Sequence, residues 1–142
     1  MSQARTMARR CAVQALYQWQ VTGHDVDDIY QQFLLERNMA KVNVEMFKEL
    51  LSGVTRELET LDQTIQPYLD RNIGEVDPVE RAVLRLGTYE LMYRPEVPYR
   101  VVINEALEAV KTFGAEQGHR YVNGVLDKVA QQVRQPEVKR RV

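Results

Sequence analysis

Apolar residues recur at steps of three and four along most of this chain, the repeat of helices that each bury one face. Ala8, Ala12, Ala15, Leu16 and Trp19 form the first stripe, and Gly23 follows as a C-terminal cap. Val26, Ile29, Tyr30, Phe33 and Leu34 form a second, introduced by Asp25 as N-cap. From Asn43 a longer stripe runs through Phe47, Leu50, Leu51, Val54, Leu58, Leu61, Ile65 and Leu69. Pro67 lies inside it and predicts a bend or break near residues 63–66. The sharpest boundary is "DPVE" at 77–80, with Asp77 as N-cap, Pro78 at the first helical position and Glu80 completing a capping box.

The helix after that boundary is apolar over a wide arc (Val79, Val83, Leu84, Leu86, Leu91, Met92), as a central helix with several neighbours must be. It ends before Pro95. Tyr99, Ile103, Ala106, Leu107 and Val110 make a fifth stripe ending at Gly114, and Val122, Val125, Leu126, Val129 and Val133 a sixth running to about Arg134. The tail "QPEVKRRV" carries too little apolar surface to dock firmly. No segment alternates at period two, so no sheet is expected. Six helices with short joints predict one all-α domain over residues 1–142. The break at Gly74–Asp77 divides it into an N-terminal half, about 1–73, and a C-terminal half, about 77–134, followed by a basic tail, 135–142.

Charge modifies this picture only through its distribution. The net charge is −1, yet residues 1–20 carry +3 from Arg5, Arg9 and Arg10. Residues 134–142 carry another +3, which leaves −7 for the residues between. Such asymmetry points to a local electropositive site on an acidic body, or equally to a solvated helix start and a frayed tail. The one cysteine, Cys11, makes no internal disulfide and fits a reducing compartment, so a cytoplasmic protein is expected. No apolar run reaches the roughly 20 residues needed to span a bilayer, and the N-terminus lacks the pattern of a signal peptide.

The residues offer little for catalysis. Cys11, His24 and His119 share no metal-ligand spacing, and no metal or other cofactor is expected. Ser2 and Ser52 have no nucleophile motif around them, and the glycines build no phosphate cradle. Glu105 and Glu108 share a helix face that reads as an exposed edge. The chain is not expected to be an enzyme.

One stretch is richer. In "KTFGAEQGHRYVNG", 111–124, a helix ending at Phe113 and another beginning near Ala115 meet at Gly114. The unpaired amides and positive dipole end of the second helix favour an anion. His119 and Arg120 lie in or just past that turn, Lys111 comes from the preceding helix, and Phe113 and Tyr121 supply flat rings. Basic groups beside aromatic rings suit single-stranded nucleic acid: phosphates are neutralised and bases find a ring face. A capped turn with Phe113 packed inward is the competing reading. On the first helix Arg9, Val13, Tyr17 and Gln20 follow a 4–4–3 step that also places cation and ring on one face, with burial against another helix as the alternative.

The segments "CAVQALYQWQ" (11–20), "VERAVLRLGTYEL" (79–91), "VPYRVVINEALEAVKTFGAE" (97–116) and "YVNGVLDKV" (121–129) together resemble the NusB family of bacterial transcription antitermination factors, collinearly and over nearly the whole chain. The resemblance implies two packed three-helix bundles and a non-enzymatic role. It implies binding of the boxA element of ribosomal RNA transcripts together with NusE, a small-subunit ribosomal protein, within the RNA polymerase antitermination complex. Matched by position, the RNA face would use Arg5, Arg9 and Tyr17 from the first helix and Phe113, Gln117 and Tyr121 from the joint, while Glu80 would lie toward the NusE side. Two positions depart from the family pattern, Arg10 and Gln117, where an acidic residue is common. Both make this face less acidic, so Arg10, Lys111, His119 and Arg120 join the expected RNA-binding set.

Three other readings compete. A helical protein–protein adaptor would make no RNA contact, and a homodimer would hide the basic face until a partner arrives. An RNA-targeting domain of a ribosomal RNA methyltransferase would need a cofactor-binding domain for which the chain leaves no room.

Overall fold

The computed structural model describes residues 3–114 and 117–139. Eight α-helices are present among them: α1 (Gln3–Thr22), α2 (Val26–Glu36), α3 (Val44–Arg56), α4 (Leu58–Ile65), α5 (Pro78–Tyr93), α6 (Tyr99–Phe113), α7 (Gly118–Val133) and α8 (Gln135–Lys139). No strand occurs among the described residues, and the all-α fold expected from the periodicity is the fold found.

Most boundaries follow from local chemistry. Asp25 accepts from the amides of Asp27 and Asp28 at the start of α2, and Asn43 from that of Met46 at the start of α3. Asp77 accepts from the amides of Val79 and Glu80 and so caps α5, with Pro78 in the first turn where no amide is needed. Gly23 ends α1 with φ +74°, a conformation that disfavours any Cβ. Pro67 stops α4 at Ile65 and leaves one 3-10 turn, Gln66–Tyr68.

Two features differ from expectation. The long stripe beginning at Asn43 is broken a second time between Arg56 and Leu58, where Glu57 leaves helical geometry (φ −98°, ψ 19°). The tail does dock, as α8, because distant groups hold it. Glu137 accepts from the backbone amide of Tyr99 (2.9 Å) and pairs with Arg134 (2.6 Å), and Val138 packs on the core. Arg134 itself is buried and donates to the carbonyls of Glu90, Leu91 and Arg94 at the end of α5, adding to the bonds that Glu90 and Arg94 accept from the amides of Arg94 and Val97.

The centre of the molecule is α5, buried without interruption from Ala82 to Leu91 and packed against α1, α3, α4, α6 and α7. Close approach needs missing side chains. A Cβ on Gly53 of α3 would sit 2.3 Å from the Tyr89 ring, and one on Gly87 of α5 would sit 2.9 Å from Leu126. Around this axis α6 and α7 pack on α5 and on each other, while α1 packs on α2 and α3. Fully buried Ala8, Ala12 and Ala15 bring α1 close to its neighbours.

Charged residues tie α1 to α5. Arg9, 5 % exposed, donates to both Glu90 oxygens (2.9–3.2 Å) and to Glu105 (3.1 Å), which also accepts from Thr6 (2.9 Å). Burial disfavours the Arg9 cation, but Glu90 and then Glu105 outweigh it and hold its pKa above the ordinary value. Arg85 forks onto Asp62 of α4 and donates to Gln20 of α1, whose amide donates in turn to the carbonyl of Pro78. The Arg9–Val13–Tyr17–Gln20 face is therefore corrected: Arg9 and Val13 are interior, Gln20 is committed to α5, and only Tyr17 remains exposed. Glu105 is likewise no exposed edge but the second anion of the Arg9 cluster.

Candidate nucleic-acid interface

The C-terminal half of α1 turns Gln14, Tyr17, Gln18 and Val21 outward, spaced so that they stay on one side of the helix. Facing them are Arg37, just past α2, Val79 from the first turn of α5 and Phe113 from the last turn of α6. Together they line a groove of about 480 Å³. Tyr17 is 41 % exposed and Val21 55 %, so part of the groove's lining is apolar surface open to solvent. The Arg37 guanidinium lies over Phe33, 4.0 Å from the ring centroid, and donates to the Gln14 side-chain oxygen. A guanidinium is thereby fixed at the rim. Arg10, half-buried, precedes Tyr17 by two helical turns on the same face.

The α6–α7 joint continues this surface. Residues 115 and 116, where the second helix was expected to begin, lie outside the described residues. Helix α7 begins at Gly118, which places His119, Arg120 and Tyr121 in its first turn, with Gln117 exposed at its N-cap. Arg120 and Lys111 are exposed, and Lys111 pairs with Glu108 one turn back (3.7 Å). His119 is half-buried. Phe113 is half-buried too, packing on the core as its inward reading expects while also lining the groove.

The first turn of α5 links groove and joint. A Cβ on Gly114 would meet Val79 at 3.3 Å, and one on Gly118 would lie 2.7 Å from the Glu80 carboxylate. Glu80 is thus half-buried against α7, and burial, then its neighbour Asp77, pushes its pKa up. Tyr121 donates its hydroxyl to Asp70 (3.1 Å) and lies under Arg71, 5.4 Å from guanidinium to ring centroid. Arg71 forks onto Asp70 and holds that carboxyl down at about 2.

Of the positions expected from the sequence, Tyr17 and Phe113 meet in one groove, and Glu80, Gln117, His119, Arg120 and Tyr121 gather at the adjoining joint. Arg5 does not join them. It is exposed about 18 Å along α1 from Tyr17, in a polar depression lined by Asn43, Glu45, Met46, Glu49 and Arg94. Arg9 is the correction within the set: its guanidinium is enclosed by Glu90 and Glu105 and presents no free donor edge to a ligand. Sequence reasoning missed Arg37, Val21, Val79 and Arg71. Val21 was within reach, one turn beyond Tyr17, whereas Arg37 and Arg71 sit in irregular segments whose placement depends on tertiary packing.

Among the described residues no cluster of His, Cys, Asp or Glu could hold a metal ion, and no helix is long and apolar enough to cross a membrane. An all-helical scaffold that presents rings and guanidinium groups around an open groove is a binding module. Its sequence places it further. Residues 6–131 match the model of the NusB family. The chain is 55 % identical over 141 residues to the transcription antitermination protein NusB of Nitrosococcus oceani, covering 99 % of this chain and 95 % of that one. It is 54 % identical to the NusB of Alcanivorax borkumensis over 97 % of this chain and 92 % of that one. Among solved structures it is similar to Thermotoga maritima NusB (TM-score 0.82, 30 % identity, 92 % and 93 % of the two chains). It is also similar to a chain in a crystal structure of the antitermination factors NusB and NusE with double-stranded RNA (TM-score 0.83, 28 % identity, 93 % and 99 %). The chain belongs to the NusB family.

Proposed function

We propose that this protein is a non-enzymatic transcription antitermination factor of the cytoplasm. It binds the single-stranded boxA element of ribosomal RNA transcripts together with NusE and helps RNA polymerase continue through them. The observation that carries this reading is the open groove in which Tyr17 and Phe113 face each other beside Arg37, with Arg10 and the α6–α7 joint flanking it. The exposed Tyr17 ring and the open edge of Phe113 accept bases, and the guanidinium groups neutralise phosphates. The RNA face comprises Arg10, Tyr17, Lys111, Phe113, Gln117, His119, Arg120 and Tyr121, with Arg5 contacting a longer strand. Glu80 lies at the edge of this face and turns toward NusE. Family membership supports the reading, since the curated relatives are transcription antitermination proteins.

Fluorescent boxA RNA, titrated against a scrambled strand with and without NusE, tests it. Sequence-selective binding that tightens with NusE is expected. With about 3–5 phosphates neutralised, log K falls against log [salt] with a slope of roughly −2 to −3.5. Tyr17→Ala or Tyr121→Ala weakens binding by about 1–3 kcal/mol where the ring stacks a base. Capture of NusE without any RNA binding would instead make the protein an adaptor.

A further inference from the structure

The loop at residues 69–72, between the 3-10 turn Gln66–Tyr68 and a second one at Ile73–Glu75, is built rather than loose. The Gln66 side chain holds it from both sides, donating to the Arg71 carbonyl (2.8 Å) and accepting from the Ile73 amide (3.0 Å). Leu69 packs on the core and Ile73 is buried. The backbone under Arg71 is therefore fixed, while its side chain stays half exposed above the Tyr121 ring. No helical stripe predicts this meeting, which joins positions 50 residues apart in sequence.

The contacts of that guanidinium point to a ligand class. Its Nε and Nη2 donate to the two oxygens of Asp70 at 2.7 and 2.9 Å, the bidentate fork that arginine offers equally to carboxylate and to phosphate. The same Asp70 oxygen that receives Nε also accepts the Tyr121 hydroxyl (3.1 Å). One carboxylate thus occupies the phosphate-binding edge of Arg71 and fixes the ring beside it. Asp70 and Arg71 are exposed while Tyr121 is half-buried against the core with its hydroxyl at the surface, and an exposed ion pair contributes little to stability, so another anion can replace its carboxylate at small cost.

We propose that Arg71 and Tyr121 form a nucleotide-binding element, Arg71 taking a backbone phosphate and Tyr121 the adjoining base, which Asp70 holds closed in the free protein. The element rests on the RNA-binding reading above and extends its face beyond the groove. RNA opens it by exchanging phosphate for carboxylate on the guanidinium fork, which releases the Tyr121 hydroxyl at the same time. Asp70, with Glu80 nearby, repels a phosphate that arrives unaided. A strand already anchored in the Tyr17–Phe113 groove supplies its next phosphate at high local concentration and displaces the carboxylate. Asp70 therefore lowers affinity overall and disfavours strands that engage only the joint.

The test is titration of boxA RNA in the presence of NusE with the wild type, Arg71→Ala and Asp70→Asn, each checked by thermal unfolding for an intact fold. Arg71→Ala is expected to bind about tenfold more weakly, with a salt slope shallower by about 0.7, the share of one phosphate. Asp70→Asn is expected to bind several-fold more tightly than wild type, and the scrambled strand should gain at least as much. Unchanged affinity and slope in Arg71→Ala would overturn the element while leaving the RNA-binding function in place. Weaker binding by Asp70→Asn would overturn the closing role and make Asp70 a direct contact. Failure of the wild type to bind would overturn both readings.

Discussion

Arg9 and Tyr17 stand two turns apart on one helix, and their fates are decided by what faces them. Arg9 looks into α5 and α6, where Glu90 and Glu105 wait; Tyr17 lies opposite the last turn of α6 and looks into an open groove. Removing the Arg9 guanidinium would leave two carboxylates enclosed without a cation. Breaking a buried pair in this way destabilises by about 3–5 kcal/mol. Arg9→Ala is therefore expected to shift the urea midpoint strongly downward, and whatever RNA affinity it loses will follow loss of fold. An unchanged midpoint with weakened RNA binding would place Arg9 on the surface instead. Spacing alone could not separate the two residues, because a 4–4–3 step describes a face without saying whether a neighbour covers it.

At the scale of elements, what was legible in the sequence is what is local. Asp25, Asn43 and Asp77 cap their helices through bonds to amides two or three residues away, so the cap and its helix are written side by side. Asp77→Ala is expected to lower stability by about 1 kcal/mol in chemical unfolding. It should also loosen the first turn of α5, which carries Val79 and Glu80 to the groove and the joint; a variant as stable as wild type would show that packing alone holds that turn. The break at Glu57 was not legible, since the apolar repeat runs through it without Gly or Pro. Helix α8 was not legible either. Its docking depends on Arg134 reaching carbonyls of α5 and Glu137 reaching Tyr99, contacts made across about forty residues that leave no periodic trace. For the same reason the positive charge counted over residues 134–142 loses Arg134 to the interior.

Across the whole molecule, the described arginines that give the two termini their positive charge in sequence divide between interior and surface. Arg9 and Arg134 are spent inside the fold, while Arg37 and Arg71, unremarkable in sequence, stand at the surface beside rings. The proposed RNA face is thus a band running from Arg10 along α1, across the groove to Phe113, and on to Tyr121 and Arg71. Its aromatic members, Tyr17, Phe113 and Tyr121, could be named from residue chemistry and the family resemblance, although the helix stripes left their exposure open; the cations in loops left no such trace. Hydrogen–deuterium exchange of the protein with NusE, before and after adding boxA RNA, tests this placement most directly. Added protection in residues 10–21, 69–73 and 111–121 is the predicted result, and protection confined to α2 and α3, or none on adding RNA, would contradict it.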